Sequence, residues 1–474
     1  MVFSSITFLL YFLPIFLLVY NIIPAKFKNY FILLASIVFY AWGASDFIII
    51  LVLSTIIDFY IVKALYESPK KKRKQLLLFC SIFMNVGLLA YFKYANFFID
   101  NVNQFLGALN VSAIGWTNVL LPIGISFYTF QTLTYSIDVY RGVHKPLEKL
   151  SNYLLYIMSF PQMIAGPIVR FNLIADEIID RKETIDDKLQ GFIRFCIGLG
   201  KKVLIANVVG EQADLIMNQP VENITFISSW IGILAYTFQI YFDFAGYSDM
   251  AIGLGKMMGF SFPENFNNPY TSKSITEFWR RWHMTLGQWM RDYLYIPLGG
   301  NRVDSKTRLY FNLWFVFLVS GLWHGASWNF VIWGAFHGFF LILDKIFLLQ
   351  VLNKIGGFFS TIITFIIVVV GWVFFRLEKF DDAINYIKKM FSFSTEITFE
   401  NISNEFISIA ILAFIFSFVT ASKIGKKLET LIYYHQQPSL FWYGKMIFVS
   451  LVLLVLSISA ITAEGFNPFI YFRF

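Results

Sequence analysis

The chain has 474 residues, of which 57% are hydrophobic, 20% aromatic and only 14% charged, with a mean hydropathy of +0.62. A soluble chain of this size would carry about 25% charged residues, so a water-soluble enzyme is excluded and an all-α polytopic membrane protein is expected. The net charge of +8 falls in short loops between apolar runs, which is a topology signal and not a nucleic-acid surface.

Twelve apolar stretches read as spans, near 6–23, 29–45, 47–65, 75–92, 119–138, 189–210, 226–243, 308–323, 328–348, 355–375, 406–421 and 444–462. The first follows Met-Val-Phe-Ser-Ser, which lacks a basic leader region, and is expected to be retained. Two segments, 153–168 and 244–259, are rich in Gly, Pro and polar residues and read as re-entrant or broken helices. Lys26, Lys28, the run Lys70–Lys74, Arg141, Lys145, Lys149, Lys345, Lys354, Lys423, Lys426 and Lys427 follow alternate spans. Placing them inside puts both termini outside the cytoplasm. Lys201 and Lys202, within a span, and Lys388 and Lys389, on the outer side, run against this scheme. Cys80 and Cys196 give no disulfide framework and no metal spacing. The whole chain, 1–474, reads as one integral-membrane domain.

The longest stretch that cannot span is 260–307. At about 100° per residue, Phe278, Trp279, Trp282, Leu286, Trp289, Met290 and Tyr293 share one face of a helix, with Arg280, Arg281, Gln288, Arg291 and Asp292 opposite. Ser274 with Glu277 three residues later is a capping-box start. The expectation is an amphipathic helix on the inner membrane surface.

The chemistry is expected in Ser320-Gly-Leu-Trp-His-Gly-Ala-Ser-Trp-Asn-Phe330. This stretch sets one imidazole, His324, between two apolar runs. Such a group is costly at membrane depth without partners, and it is suited to moving a proton. It reads either as a catalytic base or as an idle turn residue. His283 borders the apolar face of the amphipathic helix, as a site residue or an anchor. His337, in Gly334-Ala-Phe-His-Gly338, reads as a packed, hydrogen-bonded residue at a close helix contact. His144 and His435 lie in polar loops. Asp243 and Asp249 read either as braces for the broken helix at 244–259 or as direct participants in catalysis. No phosphate loop, nucleophile elbow or zinc-binding pair appears.

Several stretches in order carry a family resemblance. They are Ser126-Phe-Tyr-Thr-Phe-Gln-Thr132, Phe160-Pro-Gln-Met-Ile-Ala-Gly-Pro167, Tyr241-Phe-Asp-Phe-Ala-Gly-Tyr-Ser-Asp249, Asn267-Asn-Pro-Tyr270, Glu277-Phe-Trp-Arg-Arg-Trp-His283, Arg291-Asp-Tyr-Leu-Tyr-Ile-Pro-Leu-Gly-Gly-Asn-Arg302 and Gly321-Leu-Trp-His-Gly325. The chain resembles the membrane-bound O-acyltransferases, in the branch similar to bacterial alginate O-acetyltransferases. The resemblance implies a helical core of about 90–380 around a transmembrane tunnel, with extra spans over 400–474. It implies His324 as the essential histidine and His283 as the second site residue. It further implies acetyl-CoA as donor substrate, with no bound cofactor or metal. A polysaccharide acceptor and an extracytoplasmic partner similar to SGNH hydrolases are implied as well. Lys273, Arg280, Arg281, Arg291 and Arg302 are the basic residues available to the donor's phosphates. The ending Glu464-Gly-Phe-Asn-Pro-Phe-Ile-Tyr-Phe-Arg-Phe474 is similar to short aromatic tails in related systems, which makes Tyr471 either an acyl carrier or an interfacial anchor. A D-alanyl or other acyl transferase of the same family, and a transporter or flippase without transferase chemistry, remain open.

Overall fold

The computed structural model describes residues 1–392, 402–435, 438–464, Pro468 and Ile470. Among them the regular structure is entirely helical. Six helical stretches are long and apolar enough to cross a membrane: Ala25–Glu67, Lys71–Ala108, Trp328–Ile355, Gly357–Arg376, Asn404–Ala421 and Leu440–Ala463. The first has 43 residues, which at about 1.5 Å each is twice the bilayer's hydrocarbon thickness. Ala44, at φ −153° and ψ 53°, breaks it into the two halves expected at 29–45 and 47–65. The stretches near 189–210, 226–243 and 308–323 are helical but more polar, and lie outside this set of six.

The chain divides into two compact units. The first comprises Met1–Lys188 and Gly255–Phe262. Its apolar centre is a ring cluster of Phe3, Phe8, Phe12, Phe39 and Phe160. Its polar centre is Asp58, fully buried. Ser81 (2.5 Å), Asn85 (3.0 Å), Tyr153 (2.6 Å) and Ser136 (3.3 Å) all donate to its carboxylate. Ser136 comes from the helix Ile125–Arg141, which is buried on nearly every side. The break expected in 153–168 is present: Leu150–Met158 stops, Ser159 is extended, and Phe160–Met163 forms one further turn.

The second unit comprises Leu189–Leu254 and Pro263–Phe474. The break expected at 244–259 is absent, because Phe226–Met257 is one continuous helix of 32 residues. The glycines read as a break instead permit a close helix contact. A Cβ on Gly246 would meet the Gly198 carbonyl at 2.6 Å, and one on Gly253 would meet the Gly191 carbonyl at 2.6 Å. The two helices therefore touch at glycines seven residues apart on each. Between those contacts, Asp249 ion-pairs with Arg194 and Lys201, both at 2.7 Å, and Arg194 also reaches Glu264 at 2.5 Å. Asp249 thus joins two helices and does not brace a broken one, and Lys201 has its counter-charge within the helical core. Asp249→Ala leaves two cations facing each other with one shared partner removed. We expect it to destabilise the unit by about 3–5 kcal/mol, read as a lowered unfolding midpoint in detergent. An unchanged midpoint would mean that solvent already neutralises the group.

The expected amphipathic helix is also different. Ile275–Arg281 and Met284–Met290 are separate short helices, split at Trp282 and His283. The chain ahead of them intervenes: Asn267 N–H donates to the Arg281 carbonyl and Met284 N–H to the Asn265 carbonyl, both at 2.9 Å. His283 takes a left-handed conformation, φ +43°, which is uncommon for a non-glycine residue and costs backbone energy. The apolar face is buried in protein. Phe278, Trp282, Leu286, Trp289 and Met290 are all less than a tenth exposed, with Trp282 4.9 Å from Trp372. The capping start is present, with Ser274 Oγ accepting from Glu277 N–H at 3.1 Å.

Candidate active site

His324 is the last residue of the helix Lys306–His324, and Trp328–Leu343 begins four residues later. Glycines press these two helices together. A Cβ on Gly321 would meet the Phe330 carbonyl at 2.2 Å, and one on Gly334 would meet the Phe317 carbonyl at 2.3 Å. The small-residue pair read from the sequence, Gly334 and Gly338, is one side of this contact, and Gly321 on the facing helix is the other. The imidazole is 5% exposed. Its ring sits edge-on to Trp323 and Trp333, both at 4.9 Å, and to Phe375 at 5.4 Å. Nδ1 lies 2.7 Å from the Ser320 carbonyl. A carbonyl only accepts, so Nδ1 carries a proton, and in the neutral ring Nε2 then holds the lone pair. A neutral histidine in this tautomer is a base at Nε2.

His283 is 1% exposed. Its Nδ1 lies 3.0 Å from Asn265 Oδ1. Asn265 is fixed on its other side, where Nδ2 donates to Ser248 Oγ at 3.0 Å. Its Oδ1 also accepts from Thr285 Oγ1 at 2.8 Å. Oδ1 is thereby an acceptor, Nδ1 of His283 a donor, and Nε2 again the basic nitrogen. That Nε2 has no hydrogen-bond partner among the described residues. The two histidines share one aromatic neighbour, since the Trp323 ring lies 6.0 Å from His283 and 4.9 Å from His324. Two basic ring nitrogens are thus held, in the same tautomer, within one buried aromatic cluster.

Burial holds the His283 imidazole well below the ordinary histidine pKa, and the neighbouring His324 adds to the effect. Unfolded, the ring protonates as the pH falls through about 6.5; folded, it stays neutral to lower pH. Stability is therefore present above about pH 6.5 and lost as the pH falls below it. We expect His283→Gln to flatten the acid side of the unfolding-midpoint profile between roughly pH 6.5 and 5. Identical acid slopes in both proteins would contradict this.

The other expected residues fare differently. His337 is buried among Trp279 (4.9 Å), Trp333 (5.1 Å) and Phe336 (5.2 Å). It is packed as expected, but neither ring nitrogen has a hydrogen-bond partner among the described residues, so the expected hydrogen bonding is not found. Aromatic edges fill the space a polar partner would need. Asp243 pairs with Lys202 at 2.9 Å, which supplies the second counter-charge for the lysines that had seemed misplaced in a span. Arg281 is taken up by Glu277 (2.5 Å) and Thr271 (3.0 Å), and Arg291 by Asp292 (2.7 Å). Lys273, Arg280 and Arg302 are exposed. Among the described residues, no hydrogen bond or ion pair joins these five side chains to one another or to the histidines. Tyr471 lies outside the described residues. Asn265, which orients His283, was not singled out by sequence reasoning. Its signal was an amide set between Glu264 and Phe266, ahead of Asn267-Asn-Pro-Tyr270.

Comparison with known proteins decides the family. The profile of the MBOAT, membrane-bound O-acyltransferase family, matches residues 147–377. The probable alginate O-acetylase of Pseudomonas aeruginosa is 44% identical over 396 residues, covering 83% of this chain and 76% of that protein. This chain belongs to the membrane-bound O-acyltransferase family. It is a multi-pass membrane acyltransferase. The probable alginate O-acetylase of Azotobacter vinelandii is 38% identical with both chains covered in full. The peptidoglycan O-acetyltransferase of Helicobacter pylori is 35% identical, covering 82% of this chain and 80% of that one. The matched stretch includes both histidines, Asn265 and the glycine contact that sets the His324 turn.

Proposed function

We propose that this membrane-bound O-acyltransferase moves acetyl from acetyl-CoA, on the cytosolic side, to a hydroxyl of an exported or cell-wall polysaccharide. What supports the proposal is His324, a buried imidazole whose Nδ1 lies in hydrogen-bond reach of the Ser320 carbonyl, which leaves Nε2 as the proposed base. Nε2 accepts the proton of the acceptor hydroxyl as its oxygen attacks the thioester carbonyl. The C–S bond breaks, and the thiolate takes the proton back from the imidazolium. His283, held neutral by Asn265, provides a second acceptor for the attacking hydroxyl or a bound water. The surrounding Trp and Phe rings exclude bulk water, which limits hydrolysis of the thioester. A passage through the helical core brings donor and acceptor together. Among the basic residues proposed for the donor's phosphates, Lys273, Arg280 and Arg302 are exposed, whereas Arg281 and Arg291 would have to exchange their present carboxylate partners. Both termini lie outside the cytoplasm in this scheme. Tyr471 is the acceptor within the chain, and an SGNH-hydrolase-like partner completes transfer to the polymer.

The relatives named for alginate and peptidoglycan O-acetylation support acetyl and polysaccharide. A second reading, D-alanyl transfer, is favoured by the teichoic acid D-alanyltransferase of Bacillus subtilis. That protein is 30% identical but aligns with only 56% of this chain. A transporter without transferase chemistry has no support from the relatives. Membranes containing the protein should become labelled from labelled acetyl-CoA and not from a charged D-alanyl carrier. Labelling from the carrier alone would replace acetyl with D-alanyl.

A further inference from the structure

The second unit contains a buried ion pair that makes further hydrogen bonds to the backbone of Pro468 and Ile470. Lys202 Nζ lies 2.9 Å from Asp243 Oδ1, and each side chain is 2% exposed. Buried ions are tolerated when their remaining donors and lone pairs are filled. The Lys202 ammonium has three donors. One goes to Asn207 Oδ1 at 2.6 Å and one to the Pro468 carbonyl, while Asp243 Oδ1 faces the ammonium as an ion pair. The second carboxylate oxygen of Asp243, Oδ2, accepts from the Ile470 backbone N–H at 2.9 Å. The Ile470 side chain is 2% exposed and packs into the same apolar core as Phe242, Ala245 and Val209. Pro468 and Ile470 therefore present one backbone acceptor to the cation, one backbone donor to the anion and one side chain to an apolar socket.

We propose that Lys202, Asp243 and this socket are a receptor site for the chain's own C-terminal segment, and that docking there positions the segment for acyl transfer. A pair serving only to join two helices has no use for the backbone of Pro468 and Ile470, whereas here each ion loses a hydrogen-bond partner without them. The π-helical turn Lys201–Asn207 supplies both Lys202 and Asn207; such turns depart from regular helix and commonly serve function. The dock also shares a helix with the machinery that holds His283. Asp243 precedes Phe244, whose ring lies 4.7 Å from His283, and Ser248 on that helix binds Asn265. Tyr471 is the residue that follows Ile470. The docking does not depend on the proposed function, but its consequence for transfer rests on that reading.

Hydrogen exchange of the full-length protein in detergent, followed by mass spectrometry of the C-terminal peptide, tests the docking. The Ile470 amide is expected to be protected. Asp243→Ala and Lys202→Met are expected to speed its exchange by about 10-fold or more, the loss of one hydrogen bond to a buried charge. Exchange at the unprotected rate in the native protein, or unchanged exchange in both variants, would overturn the site. Ile470→Asp guards against variants that fail to fold, because it alters only the end of the chain and sets a carboxylate against Asp243. It is expected to release the same amide and to lower transfer by about 10-fold with the donor KM unchanged. A freed amide with undiminished transfer would overturn the positioning role. A native protein that protects the amide yet transfers no acetyl would instead contradict the acetyl reading, leaving the dock in place.

Discussion

Replacing His324 with Gln is expected to lower the rate of acyl transfer by about 10²–10⁴-fold, the range a positioned general base supplies. The substitution is chosen for what it keeps. A Gln amide can still donate to the Ser320 carbonyl, and it is small enough for the space among Trp323, Trp333 and Phe375. What it removes is the basic nitrogen. The protein should insert and fold normally, so the loss should fall on turnover and not on yield. His283 remains in place with its own basic Nε2. An unchanged turnover in His324→Gln would move the base to His283 and leave His324 a turn residue.

The second large effect comes from a residue with no side chain. Gly321→Ala places a methyl carbon 2.2 Å from the Phe330 carbonyl, a backbone atom that cannot rotate away. The helices Lys306–His324 and Trp328–Leu343 must separate, and the imidazole three residues along moves with them. A displacement of about 1 Å at a reacting group can cost about 10²-fold in rate, and that is the expected loss. Gly107→Ala is the control, because a Cβ there meets nothing within 4 Å. Kinetics on both variants, normalised to inserted protein, check the effect. Equal activity in the two would show that the hairpin tolerates separation and that close packing does not set His324.

The membrane class was legible because composition alone excludes anything else, and His324 was legible because an imidazole among apolar residues stands out. Gly334 and Gly338 could be read as a close contact from their spacing, whereas Gly321 opposite them could not. The same kind of signal misled at 244–259, where Gly246 and Gly253 looked like a break. A glycine marks either a bend or a place where another backbone comes near, and only the facing Gly198 and Gly191 decide which. Helical periodicity likewise ran straight through Trp282 and His283. The kink there is imposed by Asn265 and Asn267, residues distant enough in sequence that no local pattern reports them. The partners of Lys201 and Lys202 were out of reach for the same reason, since Asp249 and Asp243 lie more than forty positions away on another helix.

The His324 imidazole is the proposed base of a transfer that ends as O-acetate on a polymer. The most direct measurement is polymer-bound O-acetate in cells whose only copy of the protein carries His324→Gln, with membrane insertion verified at the native level. The polymer is expected to be made without O-acetate. Polymer acetylated to the native extent would contradict it.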